Sequence, residues 1–217
     1  MRTCPPPAFG YLTAVLDSML RPVKDRALTP LASSAIAHLH PIAISAVGLA
    51  LSLGAALAAS QRLAVLAVAL WLLGRIADGL DGLVARATDR SSDIGGLLDF
   101  TFDTIGYASI PVGVAFGVDD RVGYIATAVL LATFYVNAVS LGTVSALLEK
   151  RSLGAAARGQ PTSVSLPRGL VEGSETIVFF TVALAFPDAA TTVWWVMAGA
   201  VLVTALERLR WARGELS

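Results

Sequence analysis

Residues 41–60, PIAISAVGLALSLGAALAAS, carry no charged side chain. Such a run offers water no polar face, and about 20 apolar residues in a helix match the ~30 Å hydrocarbon core of a bilayer. Five further spans are read near 62–82, 95–117, 122–147, 170–187 and 190–208. The breaks fall at Ser60-Gln61, Asp89–Asp93, Val118–Arg121, Glu149–Gly169 and Pro187-Asp188. The pattern predicts an all-α integral membrane protein with six transmembrane helices in three hairpins. Residues 41–217 form this bundle, and residues 1–40 form an N-terminal cytoplasmic or interfacial segment.

Composition agrees: 55% of residues are hydrophobic and 15% charged, with a mean hydropathy of +0.70. Formal net charge is zero, which gives no electrostatic basis for a nucleic-acid partner. Cys4 is the sole cysteine, so no intramolecular disulfide is possible. Arg2 is followed by Pro5, Pro6 and Pro7 rather than an apolar core, so no cleavable signal peptide is expected. Within residues 9–28, Leu12, Val15, Leu16, Met19 and Val23 recur at helical spacing, with Asp17, Arg21, Lys24 and Asp25 mostly elsewhere. That segment is expected to lie on the inner membrane surface as an amphipathic helix, bent or broken at Pro22.

Basic residues orient the bundle, because Lys and Arg are retained on the cytoplasmic side. With the N-terminus inside, thirteen of the sixteen fall on the inner side, Arg62 and Arg121 fall outside, and Arg75 lies within the second span. Both termini are therefore expected in the cytoplasm, in a multi-pass protein of a bacterial inner membrane.

Against this background, six of the sixteen acidic residues crowd into residues 77–103. Asp78 lies about fifteen residues past Leu63, ~22 Å along a helix at ~1.5 Å per residue, which places it near the inner surface. Asp81 follows at i+3 on the same face, and Asp99 and Asp103 form an i, i+4 pair at the start of the next helix. Four carboxylates thus face one another across a hairpin. Loop acids would not share two helix faces in this way, and Asp89 and Asp93 are read as turn acids. A carboxylate at mid-bilayer costs about 2.5–3.5 kcal/mol on insertion scales, and four together repel, so a cation is needed between them. Arg75 and Arg86 are near. Carboxylate oxygens are also the ligands that Mg²⁺, Ca²⁺ and Mn²⁺ prefer, and four aspartates have the capacity for two ions. Two such ions clamp the attacking and leaving oxygens of a phosphoryl displacement. Gly79, Gly82, Gly95, Gly96 and Ala85 remove bulk beside the carboxylates, for close helix packing or for close approach of a ligand.

These residues carry a family resemblance. Asp78, Asp81, Gly82, Ala85, Arg86, Gly95, Asp99 and Asp103 reproduce the pattern D-x2-D-G-x2-A-R-x8-G-x3-D-x3-D with every spacer the right length. The pattern resembles the signature of the CDP-alcohol phosphotransferases. The resemblance implies a six-helix membrane fold with an inner-surface amphipathic segment, commonly a homodimer. It implies a metal-dependent transferase of phospholipid biosynthesis, using Mg²⁺ or Mn²⁺, with two ions expected. A CDP-linked donor would place its diphosphate on the ions. An acceptor hydroxyl would attack the phosphorus remote from cytidine, and CMP would leave. Asp78, Asp81 and Asp99 would be the principal metal ligands. Asp103 would complete the site and act as general base, since a metal-adjacent carboxylate can take the acceptor's proton. Gly82, Ala85 and Gly95 would leave room for the donor's nucleotide, and Arg86 would offer its guanidinium to phosphate or to the aspartates. The family often has Pro-Asn-x-x-Thr at the start of the first helix, near the nucleotide, which would make Ser45 a donor-binding residue. Here Pro41-Ile42-Ala43-Ile44-Ser45 stands there: Ser45 keeps a hydroxyl, but Ile42 cannot replace the hydrogen-bonding of asparagine.

A site at the inner interface suits CDP-diacylglycerol, whose head sits in water and whose chains stay in lipid, better than a soluble CDP-alcohol. The acceptor is an alcohol such as glycerol phosphate or inositol phosphate, and Arg158 and Arg168 are candidates for its phosphate. Those arginines also suit anionic membrane lipids, at about 1 kcal/mol per basic residue. Glu172 and Glu175 fall near the same membrane face and suit acceptor hydroxyls or a pairing with Arg168. His38 and His40 alone make a weak metal site. Asn137, Ser140 and Thr143 read as interhelical hydrogen-bond partners, and Trp194, Trp195 and Trp211 as interface markers. The competing class is a cation transporter or channel, which should carry acids through the depth of the membrane. Here Asp119, Asp120 and Asp188 lie only in outer turns.

Overall fold

The structure is a computed structural model that describes residues 39–152, 171 and 173–216. Every regular element among them is helical: α1 Pro41–Ser60, α2 Ala64–Ala87, α3 Asp93–Val118, α4 Arg121–Lys150, α5 Gly173–Ala185 and α6 Ala190–Leu216, with a 3₁₀ turn Pro187–Ala189 before α6. The all-α expectation holds, and a helix occupies each of the six expected positions. The N-terminal segment 9–28 lies outside the described residues.

Local chemistry sets the helix ends. Extended His40 precedes α1, whose first turn begins with Pro41, a residue that needs no N–H donor there. Ser92 caps α3, its hydroxyl accepting from the Gly95 N–H at 3.1 Å. Asp93 sits in the first turn of α3, where the helix dipole favours an anion. Asp89 has φ 55° in the connection before it. At the other end, Asp119 adopts the left-handed conformation that closes α3 and accepts from the Tyr124 hydroxyl at 2.9 Å. Asp120 Oδ1 accepts from the Gly123 N–H at 2.7 Å as α4 begins. Asp93, Asp119 and Asp120 are thus spent on helix termini.

Helix α1, helix α4 and the stretch Pro187–Leu216 are long and apolar enough to cross a membrane. Helices α2 and α3, at 24 and 26 residues, have the length but carry the acids. Helix α5 has 13 described residues, about 20 Å of rise, which is shorter than the span expected at 170–187. Large apolar side chains point outward, including Val65 at 87% exposure, Leu57 at 67% and Val178 at 62%. That surface suits lipid rather than water.

Contacts group the chain into two units. One contains described residues 39–127 and 177–194. Within it α1 packs on both α2 and α3 along a seam of small residues. A Cβ on Gly74 would lie 3.2 Å from the Gly48 carbonyl, and one on Gly113 would overlap the Ala56 carbonyl. One on Gly117 would collide with the Ala59 carbonyl. Backbones this close need glycine at the crossing. The tight glycines are not those the sequence pointed to: Gly96 has open space around it, and a Cβ on Gly82 would meet only the Arg86 guanidinium. Ile44, Ala77, Leu80 and Val84 fill the core where α1 meets the C-terminal half of α2.

The other unit contains described residues 128–152, 171, 173–176 and 195–216. Here Arg208, assigned from sequence to the inner side at the end of the sixth span, is buried within α6. Its Nη1 donates to Asn137 Oδ1 at 2.8 Å and to Ser140 Oγ at 3.0 Å, so those two α4 residues do join helices by hydrogen bonds. Trp194, in the first unit, corrects the expected membrane-interface belt. It is 1% exposed, its ring 5.3 Å from that of Phe180, while Trp195 is exposed. Adjacent helical residues point about 100° apart, so both cannot face one environment.

Gly113→Ala should force α1 and α3 apart at the Ala56 carbonyl and cost about 1–3 kcal/mol, read as a lower Tm in detergent. Gly142→Ala, with nothing within 4 Å of the new methyl, should not lower it.

Candidate functional site

The seam brings the polar ends of α1, α2 and α3 together. Gly48 lies against the backbone of α2, where a Cβ would sit 3.4 Å from the Gly74 carbonyl and 3.7 Å from the Asp78 nitrogen. One turn earlier in α1, Ser45 is buried and its hydroxyl donates to Asp81 Oδ2. Asp78 and Asp81, i and i+3 on α2, meet Asp99 of α3. Each offers a carboxylate oxygen, and the three oxygens lie within 4.8 Å of one another. Asp81 is buried, and Asp78 and Asp99 are half-buried.

Asp103 lies one turn along α3 from Asp99 and has another partner. Arg75 Nη1 donates to its Oδ1 at 2.7 Å and lies 3.8 Å from Asp78 Oδ2. Arg75 is 6% exposed. Its guanidinium carbon stands 4.8 Å from the ring centres of both Trp71 and Tyr107, and Nη2 is 3.4 Å from Ser52 Oγ. Trp71 is in turn fixed by Tyr107 and Phe180, at ring separations of 5.7 and 5.3 Å. Arg75, Asp78, Asp99, Asp103, Ser45 and Gly48 line one recess together with Leu49 and Phe102.

The remaining signature residues occupy the same end of the hairpin. Gly82 and Ala85 are half-buried on α2, Arg86 is exposed in its last turn, and Gly95 lies in the capped first turn of α3. Arg158, Arg168, His38 and Glu172 lie outside the described residues. Glu175 accepts from the Ser174 hydroxyl at 3.1 Å in the first turn of α5. Sequence reasoning offered Arg75 as a nearby cation for the acids but did not name it among the site residues, and it passed over Ser52, Trp71 and Tyr107. The available signal was an arginine inside an apolar span, which requires a partner there.

Three converging carboxylates with one oxygen each inside this distance form an all-oxygen donor set. It fits a hard divalent cation such as Mg²⁺ or Mn²⁺. The Ser45 hydroxyl orients one of these carboxylates from behind, a common support for a ligand.

Outward-facing apolar helices and a carboxylate cluster at one end of them define an integral membrane protein with a cation-attracting polar site. The chain belongs to the CDP-alcohol phosphatidyltransferase family, whose model matches residues 38–206. It is 34% identical over 116 residues to inner membrane protein YnjF of Escherichia coli, covering 54% of this chain and 55% of that protein. It is 45% identical over 53 residues to archaetidylinositol phosphate synthase of Pyrococcus horikoshii, covering 24% of this chain and 28% of that one. The matched regions thus span about half or less of these curated relatives. Among solved structures, it resembles a phosphatidylinositol phosphate synthase of Mycobacterium tuberculosis with CDP-DAG bound. The TM-score is 0.65 at 22% identity, over 88% of this chain and 92% of that chain. The form of that synthase in complex with manganese and citrate gives a TM-score of 0.64 at 21% identity, over 88% of each chain. At these identities the likeness is one of fold.

Ser45→Ala removes the donor behind Asp81 and should weaken Mn²⁺ binding by about tenfold, the low end for loss of a group supporting a ligand. Ser45→Thr keeps the hydroxyl and should bind nearly as the parent. Mn²⁺ titration followed by EPR checks both.

Proposed function

We propose that the protein transfers a phosphatidyl group from CDP-diacylglycerol to an alcohol, releasing CMP, in a reaction that needs Mg²⁺ or Mn²⁺. The observation that carries this is the convergence of Asp78, Asp81 and Asp99, with oxygens within 4.8 Å, on the residues of the family signature. When bound, the metal neutralises the donor's diphosphate and stabilises the charge that develops on the leaving CMP.

The chain's own groups have separable tasks. Asp78, Asp81 and Asp99 hold the ion, and Ser45 orients Asp81. Gly82 and Gly95 present little bulk where the nucleotide approaches, and exposed Arg86 offers donors to its phosphates. Asp103 accepts the proton of the acceptor hydroxyl as that oxygen bonds to the phosphorus remote from cytidine. The bond from that phosphorus to CMP breaks, and a phosphodiester forms. The acceptor is a polyol phosphate such as glycerol phosphate or inositol phosphate, with Arg158 and Arg168 as its phosphate partners. Two of the similar proteins are named for inositol phosphate products, which supports trying that acceptor first. The functional unit is a homodimer, with residues 1–40 at the inner membrane surface.

The aspartate end faces the cytoplasm, as do both termini. Withdrawing buried Arg208 from the count leaves twelve basic residues inside against Arg62 and Arg121 outside, so the bias persists. Reporters after Ser217 and within 153–168 should therefore read cytoplasmic, and one at Asp119-Asp120 external. An external C-terminal reporter overturns this topology.

Chelation should stop CMP release from CDP-diacylglycerol in the presence of a panel of labelled alcohols, and Mg²⁺ or Mn²⁺ should restore it. Full activity after thorough chelation rules out the reaction as stated. Asp103→Asn should lower single-turnover CMP release by about 10²–10⁴-fold, the usual span for a removed general base, with modest loss of donor affinity. Asp99→Asn should damage metal and donor binding together.

A further inference from the structure

We propose that the inner arm of α3, residues 93–105, is a moving wall of the recess, which turns about residues 106–111 to admit a ligand and then closes on it. The inference rests on the reading above, in which the ligand is the donor's nucleotide diphosphate head with a divalent cation, and it adds the motion that entry requires.

The first observation is space. The recess encloses about 190 Å³, whereas pockets that hold drug-sized ligands run to ~300–1,000 Å³. Admitting a nucleoside diphosphate therefore needs a wall that gives way. Two of the walls are held. Helices α1 and α2 pack closely on each other. A Cβ on Gly74 would lie 3.2 Å from the Gly48 carbonyl, and Ile44, Ala77, Leu80 and Val84 form a core between the inner ends.

The third wall is not held in this way. All of α3 is described, and its buried residues, Gly106, Ile110, Pro111, Gly113, Val114 and Ala115, lie beyond the arm. Its glycines show the same divide. A Cβ on Gly113 would sit 2.2 Å from the Ala56 carbonyl oxygen and one on Gly106 3.2 Å from the Ser52 side chain. One on Gly95 would meet only the Ser92 cap of the same helix, and one on Gly96 nothing within 4 Å. Helices α1 and α3 are thus in close contact on the outer side of Ser52 and Gly106 and diverge on the inner side. Ile94, Leu97, Phe100 and Ile105 of the arm face outward, where an apolar side chain loses little by moving through lipid. Polar side chains, Arg75 to Asp103 among them, rather than packed backbone link the arm to α2. Water or a bound ligand can replace such links.

The pivot lies at the border between the two halves. Pro111 stands inside α3. It has no N–H for the Tyr107 carbonyl, and its ring crowds that turn, a common cause of bending. Gly106, on the arm side, adds a backbone position without a Cβ. Pro111 itself is anchored, being buried and accepting from the Thr127 hydroxyl at 3.4 Å, so motion falls on the inner side. The arm is ~20 Å long at ~1.5 Å per residue. A turn of about 15° then carries its far end about 5 Å.

Double electron–electron resonance on the full-length protein in lipid nanodiscs tests this, with Cys4→Ser removing the native thiol. Nitroxides on Val47→Cys and Leu97→Cys report the arm, and those on Leu57→Cys and Phe116→Cys report the outer ends as a reference; all four positions are exposed. Without ligand, the arm pair should show a distance distribution broader than the reference by about 5 Å. Mg²⁺ with CDP, the soluble head of the proposed donor, should narrow it and shorten its mean while the reference stays unchanged. Pro111→Ala restores an N–H to the helix and should narrow the ligand-free arm distribution without altering the reference. An arm pair as narrow as the reference overturns the proposal, and so does a Pro111→Ala distribution as broad as the parent's. If Pro111→Ala does not fold, the two labelled pairs in the parent protein decide alone. Equilibrium dialysis with labelled CDP separates the two ways of failing. CDP that binds with Mg²⁺ and leaves the arm unchanged overturns this inference alone. Absence of Mg²⁺-dependent CDP binding overturns the donor reading and this inference with it.

Discussion

Backbone-to-backbone approach along α1 is the constraint on which the rest of this fold depends. Within a bilayer, apolar side chains gain little by leaving lipid for one another, so close contact and hydrogen bonds hold helices together. Here Gly74 rests on the Gly48 carbonyl, and Gly113 and Gly117 leave no room for a methyl beside Ala56 and Ala59. At such separations even the short side chain of Ser45 spans from α1 to Asp81 of α2. Bulkier residues in the seam would separate the helices, and the aspartates of α2 and α3 would drift out of common reach.

The same closeness creates the electrostatic problem of the site. Three carboxylates share a small volume and a fourth lies one turn away. Among the described residues a single buried cation, Arg75, stands there, and aromatic faces secure it. Guanidinium is weakly hydrated and stacks on rings, so it tolerates this setting better than a lysine ammonium would. Its closest anion is Asp103 at 2.7 Å, with Asp78 next at 3.8 Å.

Much of this was legible in the sequence. Apolar runs of bilayer length gave the helices, and the carboxylate spacing placed Asp78, Asp81 and Asp99 on facing surfaces, because helical periodicity is a local property. The eight-residue signature identified the family. What could not be read depends on rotation and approach of helices, which no local pattern encodes. The tight glycines proved to be Gly74, Gly113 and Gly117 rather than Gly82 and Gly96. Trp194 turned inward while Trp195 turned out. Arg208 was counted among the inner-side cations, and its ties to Asn137 and Ser140 were not foreseen. Asp103 continued the spacing of Asp99, yet the side chain it meets was settled by Arg75, a residue 28 positions earlier in the chain.

The ring cluster around Arg75 has a consequence for the order in which the protein is made. Trp71 and Tyr107 emerge early, but Phe180 and Trp194, which close the cluster, come from the last third of the chain. At ~5–20 residues per second, the stretch of about 80 residues between Asp103 and Phe180 takes several seconds to synthesise. For that interval the nascent hairpin carries its aspartates without the finished support of their internal cation. Closure of the ring cluster therefore waits for the final helices, and a chain truncated before them would hold the whole signature without Phe180 behind Trp71 and Tyr107.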